Sequence, residues 1–174
     1  MKKKLLIFFL LISSQLMATG TELSSLRSLM AEAYLNESAA QNFYNSTRNI
    51  STNSRPIMLG FKAISELMMC KHLSNPVTKL SYFNRGRKHL EQAISVESNN
   101  PELRFMRFCT QVNAPDLLGY NTSVKTDKIF LIDYLKTEKK LAEKKDPSLY
   151  ANVKKFLLNT RYCSTEEKNL IKQL

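Results

Sequence analysis

Proline placement constrains this chain more than any other feature of its sequence. Four of the five prolines stand where a helix is expected to begin: Pro56 after a polar stretch, Pro76 after Asn75, Pro101 after Asn100 and Pro147 after Asp146. A helix has no use for the first-turn N–H that proline lacks, and a preceding Asn or Asp can cap the remaining donors. The fifth, Pro115, follows Asn113-Ala114 and is expected to end a helix.

Between these marks apolar residues recur at helical spacing. Leu23, Leu26, Met30 and Ala33 define a first amphipathic helix, and Ala40, Phe43 and Tyr44 a second that is separate from it or continuous with it. Asn45 to Arg55 is polar and aperiodic, hence a loop. After Pro56, Ile57, Phe61, Ile64 and Met68 line one face and Gly60, Ala63, Leu67 and Cys70 the adjacent one. So wide an apolar surface calls for two packing neighbours. Leu80, Phe83, Leu90 and Ile94 form the next core stripe, with Gly86 and Ala93 as small contacts. Further along, Ile129, Phe130, Ile132, Tyr134 and Leu135 are expected inside, as are Leu149, Tyr150, Val153, Phe156 and Leu157. Ser164 and Glu167 have the spacing of a capping box. With only four glycines and no convincing strand, the expectation is an all-α fold of seven or eight helices, one domain over residues 21–174.

Residues 1–20 read differently. Lys2, Lys3 and Lys4 precede the apolar run Leu5 to Ile12, and small residues follow at Ala18-Thr19-Gly20. That is the anatomy of a signal peptide, too short to span a bilayer as a stable helix. Export to the periplasm or beyond is therefore expected, with no stable membrane span after cleavage. Loss of the three lysines would take the formal charge from +11 to +8, from 23 basic and 15 acidic residues. The basic surplus is diluted by acids and carries no nucleic-acid-binding motif, so nucleic acid is not an expected partner. Of the three cysteines, Cys70 and Cys109 fall on apolar helical faces, where free thiols pack as small hydrophobes. A bridge between them is the alternative.

Arg104, Arg107 and Gln111 are spaced i, i+3 and i+7 and share a helix face within otherwise apolar surroundings. Two guanidiniums so placed can grip a carboxylate or phosphate, with Lys88, Asn113 and Tyr120 as candidate companions. The competing reading pairs both arginines with acids such as Glu91, Glu102 or Asp127. Arg85, Arg87, Lys88 and His89 form a second basic cluster, read as a solvated face. His72 and Cys70, two apart, point to different faces; no metal-ligand spacing, phosphate loop or catalytic motif appears, and no cofactor is expected.

Gly86, Leu90 and Ala93, followed by the turn Val96 to Asn100, resemble the second helix of a tetratricopeptide repeat. The stretch from Pro56 to Asp133 is also similar to a set of small exported bacterial proteins of unassigned function. It shares Leu59-Gly60-Phe61-Lys62-Ala63, Glu102-Leu103-Arg104-Phe105, Gln111-x-Asn113-Ala114-Pro115 and Leu118-Gly119-Tyr120-Asn121. The resemblance implies a tetratricopeptide-like stack of antiparallel helical hairpins outside the cytoplasm, and no particular activity. In the repeat register Arg104, Arg107 and Gln111 pack against a partner helix. The resulting expectation is a non-catalytic interaction or scaffold protein that receives a protein or peptide. A small anionic-ligand binder or cryptic hydrolase built on the arginines, and a structural subunit of an oligomer, are the alternatives.

Overall fold

The structure, a computed structural model, describes residues 20–174, so the expected signal segment lies outside the described residues. Within them the chain is all-helical: eight α-helices, one short 3-10 turn and no strand. They are α1 (20–33), α2 (Glu37–Thr47), α3 (Pro56–His72), α4 (Pro76–Val96), α5 (Pro101–Asn113), α6 (Val124–Lys139), α7 (Pro147–Asn159) and α8 (Thr165–Gln173), with the 3-10 turn at Asp116–Leu118. No described helix is long and apolar enough to cross a membrane.

The proline marks fall where they were read. Pro56, Pro101 and Pro147 open α3, α5 and α7, and Pro76 opens α4. Asn75 Oδ1 accepts from the Val77 and Thr78 N–H groups, Asn100 Oδ1 from Glu102 and Leu103, and Asp146 Oδ1 from Leu149. Ser164 and Glu167 close the capping box of α8. Asn36 caps α2 by accepting from Ala39 N–H, which separates α2 from α1.

The chain divides into two compact helical units, one ending at His89 and the other beginning at Leu90. In the N-terminal unit α2 packs on α3, burying Ala40 and Phe43 from one and Leu59, Phe61, Ala63 and Ile64 from the other. Each large side chain so buried is worth roughly 1.5–3 kcal/mol. Two polar groups join this core. Thr47 and Ser65, both fully buried, share a 2.6 Å hydroxyl contact, and each hydroxyl also faces a carbonyl of its own helix as a donor, Phe43 for Thr47 and Lys62 for Ser65. Gly86 of α4 allows an approach to α3 that no side chain would permit: a Cβ there would lie 2.7 Å from Leu67 Cγ and 2.8 Å from the Ala63 carbonyl.

In the C-terminal unit α5 packs on α6, α6 on α7 and α7 on α8. Their core joins Phe108, Leu131, Leu135, Val153, Leu157 and Ile171, with Phe156 edge-on to both Phe105 and Phe108. Two expectations need correcting. Leu80 is 48% exposed, because the buried stripe of α4 begins at Phe83. Ile129 is 55% exposed, and Leu131 takes the inward place. The rotational phase of α6 is set by a row that starts with a charge: Asp127, Leu131, Leu135 and Glu138 are all buried, at successive helical turns. Hydrophobicity alone places Ile132 and Leu135 inside, where they are, but misplaces Ile129.

Candidate functional site

Arg104 and Arg107 rise from successive turns of α5 and meet one carboxylate. Asp127, in the first turn of α6, has no exposed surface. Its Oδ1 accepts from Arg104 Nη1 at 2.6 Å and Arg107 Nη2 at 2.8 Å, and its Oδ2 from Arg107 Nε at 2.7 Å. Arg107 Nη1 donates to Glu91 Oε2 at 2.7 Å, so every nitrogen of that guanidinium is bound. Burial alone would lower the pKa of Arg107, but the hydrogen bonds and charges of Asp127 and then Glu91 more than offset it and hold the guanidinium above its ordinary range. Arg104 donates its Nε to the Ser98 carbonyl at 2.7 Å and lies over the Phe130 ring, 5.0 Å from its centre. Two cations thus face two carboxylates. A buried pair of this kind is costly to form and costlier to break.

The network continues into the loop after α5. Tyr120 donates its hydroxyl to Glu91 Oε1 at 2.6 Å, and its ring is buried. Gln111, also buried, accepts from Ser123 N–H at 3.1 Å, while its Nε2 has no partner among the described residues. The 114–123 segment is therefore fastened through Tyr120 and Ser123 to side chains beneath it. Between its ends the 3-10 turn closes on Gly119, whose φ of 57° lies in the left-handed region that favours glycine. At the crest stands Leu117, 96% exposed, with Pro115 and Asp116 exposed beside it. The Arg161–Tyr162 pair flanks this crest. Arg161 Nη2 donates to the Tyr162 hydroxyl at 3.3 Å, and that bond, aided by the charge of Asp116, raises the Arg161 pKa.

Of the sequence-selected residues, Arg104, Arg107 and Tyr120 are brought together around Asp127 and Glu91, Gln111 is tied to the same loop through Ser123, and Arg104 also borders an open groove. Asn113 stays outside it: exposed, it donates Nδ2 to the Cys109 carbonyl of its own helix at 2.7 Å. Lys88 is exposed on α4 and belongs to the N-terminal unit. The three cysteines are unbonded; Cys70 and Cys109 are half-buried and Cys163 buried. Burial pushes the Cys70 thiol up to about 11 and raises those of Cys109 and Cys163. No group of His, Cys, Asp and Glu able to hold a metal ion exists among the described residues.

The basic cluster of α4, read in the sequence as a solvated face, needs a correction: two of its members turn to a buried acid. Glu66, buried on α3, holds His89 Nδ1 at 2.7 Å, with Arg85 Nε 3.7 Å away. The Arg85 guanidinium covers the Tyr82 ring at 4.3 Å, and Tyr82 meets Tyr44 edge-on at 5.5 Å. Tyr82, Arg85 and His89 repeat the i, i+3, i+7 spacing of Arg104, Arg107 and Gln111. That spacing, opposite a lone acid on an apolar helix, was the available signal.

No protein-family model matches this chain, and no curated protein or solved structure matches it significantly.

Proposed function

We propose that this chain is an exported, non-catalytic helical interaction module of tetratricopeptide-like architecture, which engages a protein or peptide partner through the edge of its 114–123 loop. The observation that carries this reading is Leu117, 96% exposed on a segment fastened at Tyr120 and Ser123. A contact segment ordered before encounter avoids part of the entropy cost of binding. The flanking Tyr162 and Arg161 belong to the residue types that dominate interface energetics. The anionic-ligand alternative draws less support. Every nitrogen of Arg107 is already hydrogen-bonded to a carboxylate, and Arg104 commits its Nε to a backbone carbonyl and its Nη1 to Asp127.

The test is site-specific photocrosslinking in the native host. A crosslinker at position 117 should capture one specific partner reproducibly, and a crosslinker at exposed Lys155 should not. Absence of any specific adduct at 117, or equal capture from both positions, removes the basis for the proposal. Export makes a separate expectation: the mass of the recovered protein should correspond to loss of the first 18 or 20 residues.

A further inference from the structure

The C-terminal unit carries a groove as well as a crest. Arg104, Ile129, Phe130, Asp133, Lys136 and Leu170 line a groove of about 540 Å³, within the range of ordinary ligand clefts. Its floor is apolar and accessible: Ile129 is 55% and Leu170 38% exposed. Its rim is charged in both signs. Lys136 and Asp133 make no hydrogen bond or ion pair with a described residue, and Arg104 Nη2 is uncommitted.

The crest offers the matching set. Leu117 projects from it, Asp116 is exposed next to it, and Arg161 lies close by. An acid and a base beside an apolar knob thus answer a base and an acid beside an apolar groove. One chain is badly placed to seat its own knob. The crest follows the last turn of α5 and Arg104 sits in its first turns, on a helix of 13 residues, about 20 Å long.

We infer that the occupant of the groove is the Leu117 crest of a second copy of this chain, with Asp116 meeting Lys136 and Arg161 meeting Asp133 across the contact. This rests on the reading of the crest as a contact surface and names its partner. The contact is heterologous, a knob of one copy in the groove of the next. Repetition therefore generates a ring or an open string rather than a simple twofold dimer. No other side chain of the described chain pairs so large an apolar exposure with charges that the groove can answer.

Sedimentation velocity over a concentration series, on the protein in the form that accumulates in its host, tests this. The wild type should show dimers and higher species that grow with concentration. Leu117→Asp destroys the knob and leaves the groove; Ile129→Asp destroys the groove and leaves the knob. Each alone should associate at least tenfold more weakly. Mixed together they should give a 1:1 dimer and nothing larger, since one intact knob then meets one intact groove. Both positions are exposed, and circular dichroism checks that each variant folds. A milder pair, Asp116→Lys and Lys136→Glu, should weaken association singly and recover it when mixed. A wild type that stays monomeric throughout overturns the inference, as does a mixture that stays monomeric while both variants are folded. If position 117 still captures a different protein in the host, the contact-surface reading survives and the self-association inference alone fails.

Discussion

Asp127 receives three guanidinium hydrogen bonds and no water-accessible surface. Replacement by Asn keeps the shape, removes the charge and leaves Glu91, which of the two arginines meets only Arg107, as the one carboxylate of the network. Breaking a buried pair from one side costs about 3–5 kcal/mol, and urea unfolding of Asp127→Asn should show a loss of that order. Tyr120→Phe is gentler. It deletes one bond to a carboxylate that keeps partial access to solvent, so a loss of about 1 kcal/mol is expected. Its sharper signature is faster amide exchange across residues 114–123. The arginine stripe itself was legible in the sequence, and Asp127 and Glu91 stood among the acids expected to answer it. Which acid takes which nitrogen was not legible, because those contacts join residues 16 to 23 positions apart. Glu66 and His89 escaped for a related reason: a lone acid on an apolar face reveals its partner only once two helices are set side by side.

At the scale of the helices, proline and its capping neighbour fixed where elements begin, since both act within one turn of chain. Helix faces were read less well. The inward face of α6 begins at Asp127, and a reading that counts only apolar residues places Ile129 inside. Gly86 shows the opposite case, a small residue whose position in a repeat-like pattern corresponds to a tight helix contact. Gly86→Ala would drive a methyl group into Leu67 and the Ala63 carbonyl. Backbone cannot yield as a side-chain tip can, so a cost of about 1–3 kcal/mol is expected from overpacking, despite alanine's better helix propensity. Thermal unfolding followed by circular dichroism should show the lowered midpoint.

For the whole molecule, the raised thiols contribute to behaviour in alkali. Thiols of the unfolded chain ionise near 9, whereas folded Cys70 holds its proton to about 11. Between those values the folded state binds more protons than the unfolded one, so stability falls as pH rises through the window and is unaffected well below it. The urea midpoint should therefore drop between pH 8 and pH 10, and Cys70→Ala should remove part of the drop. At pH 8 the same shift lowers the thiolate fraction of Cys70 about a hundredfold. Greater nucleophilicity of the less acidic thiol offsets part of that, leaving reaction with an aromatic disulfide about tenfold slower than in urea-unfolded protein.

The fastening of the 114–123 loop has a consequence for how its surface can change. Every side chain that holds it, Glu91, Arg107, Gln111 and Tyr120, lies off the crest, and Ser123 contributes only its backbone N–H. Pro115, Asp116 and Leu117 are exposed and bear none of that load. The crest can accept new side chains while the frame beneath it stays the same. The proposed recognition could thus diversify by substitution at two or three positions, and the same freedom makes the crest a natural place to graft a foreign recognition sequence.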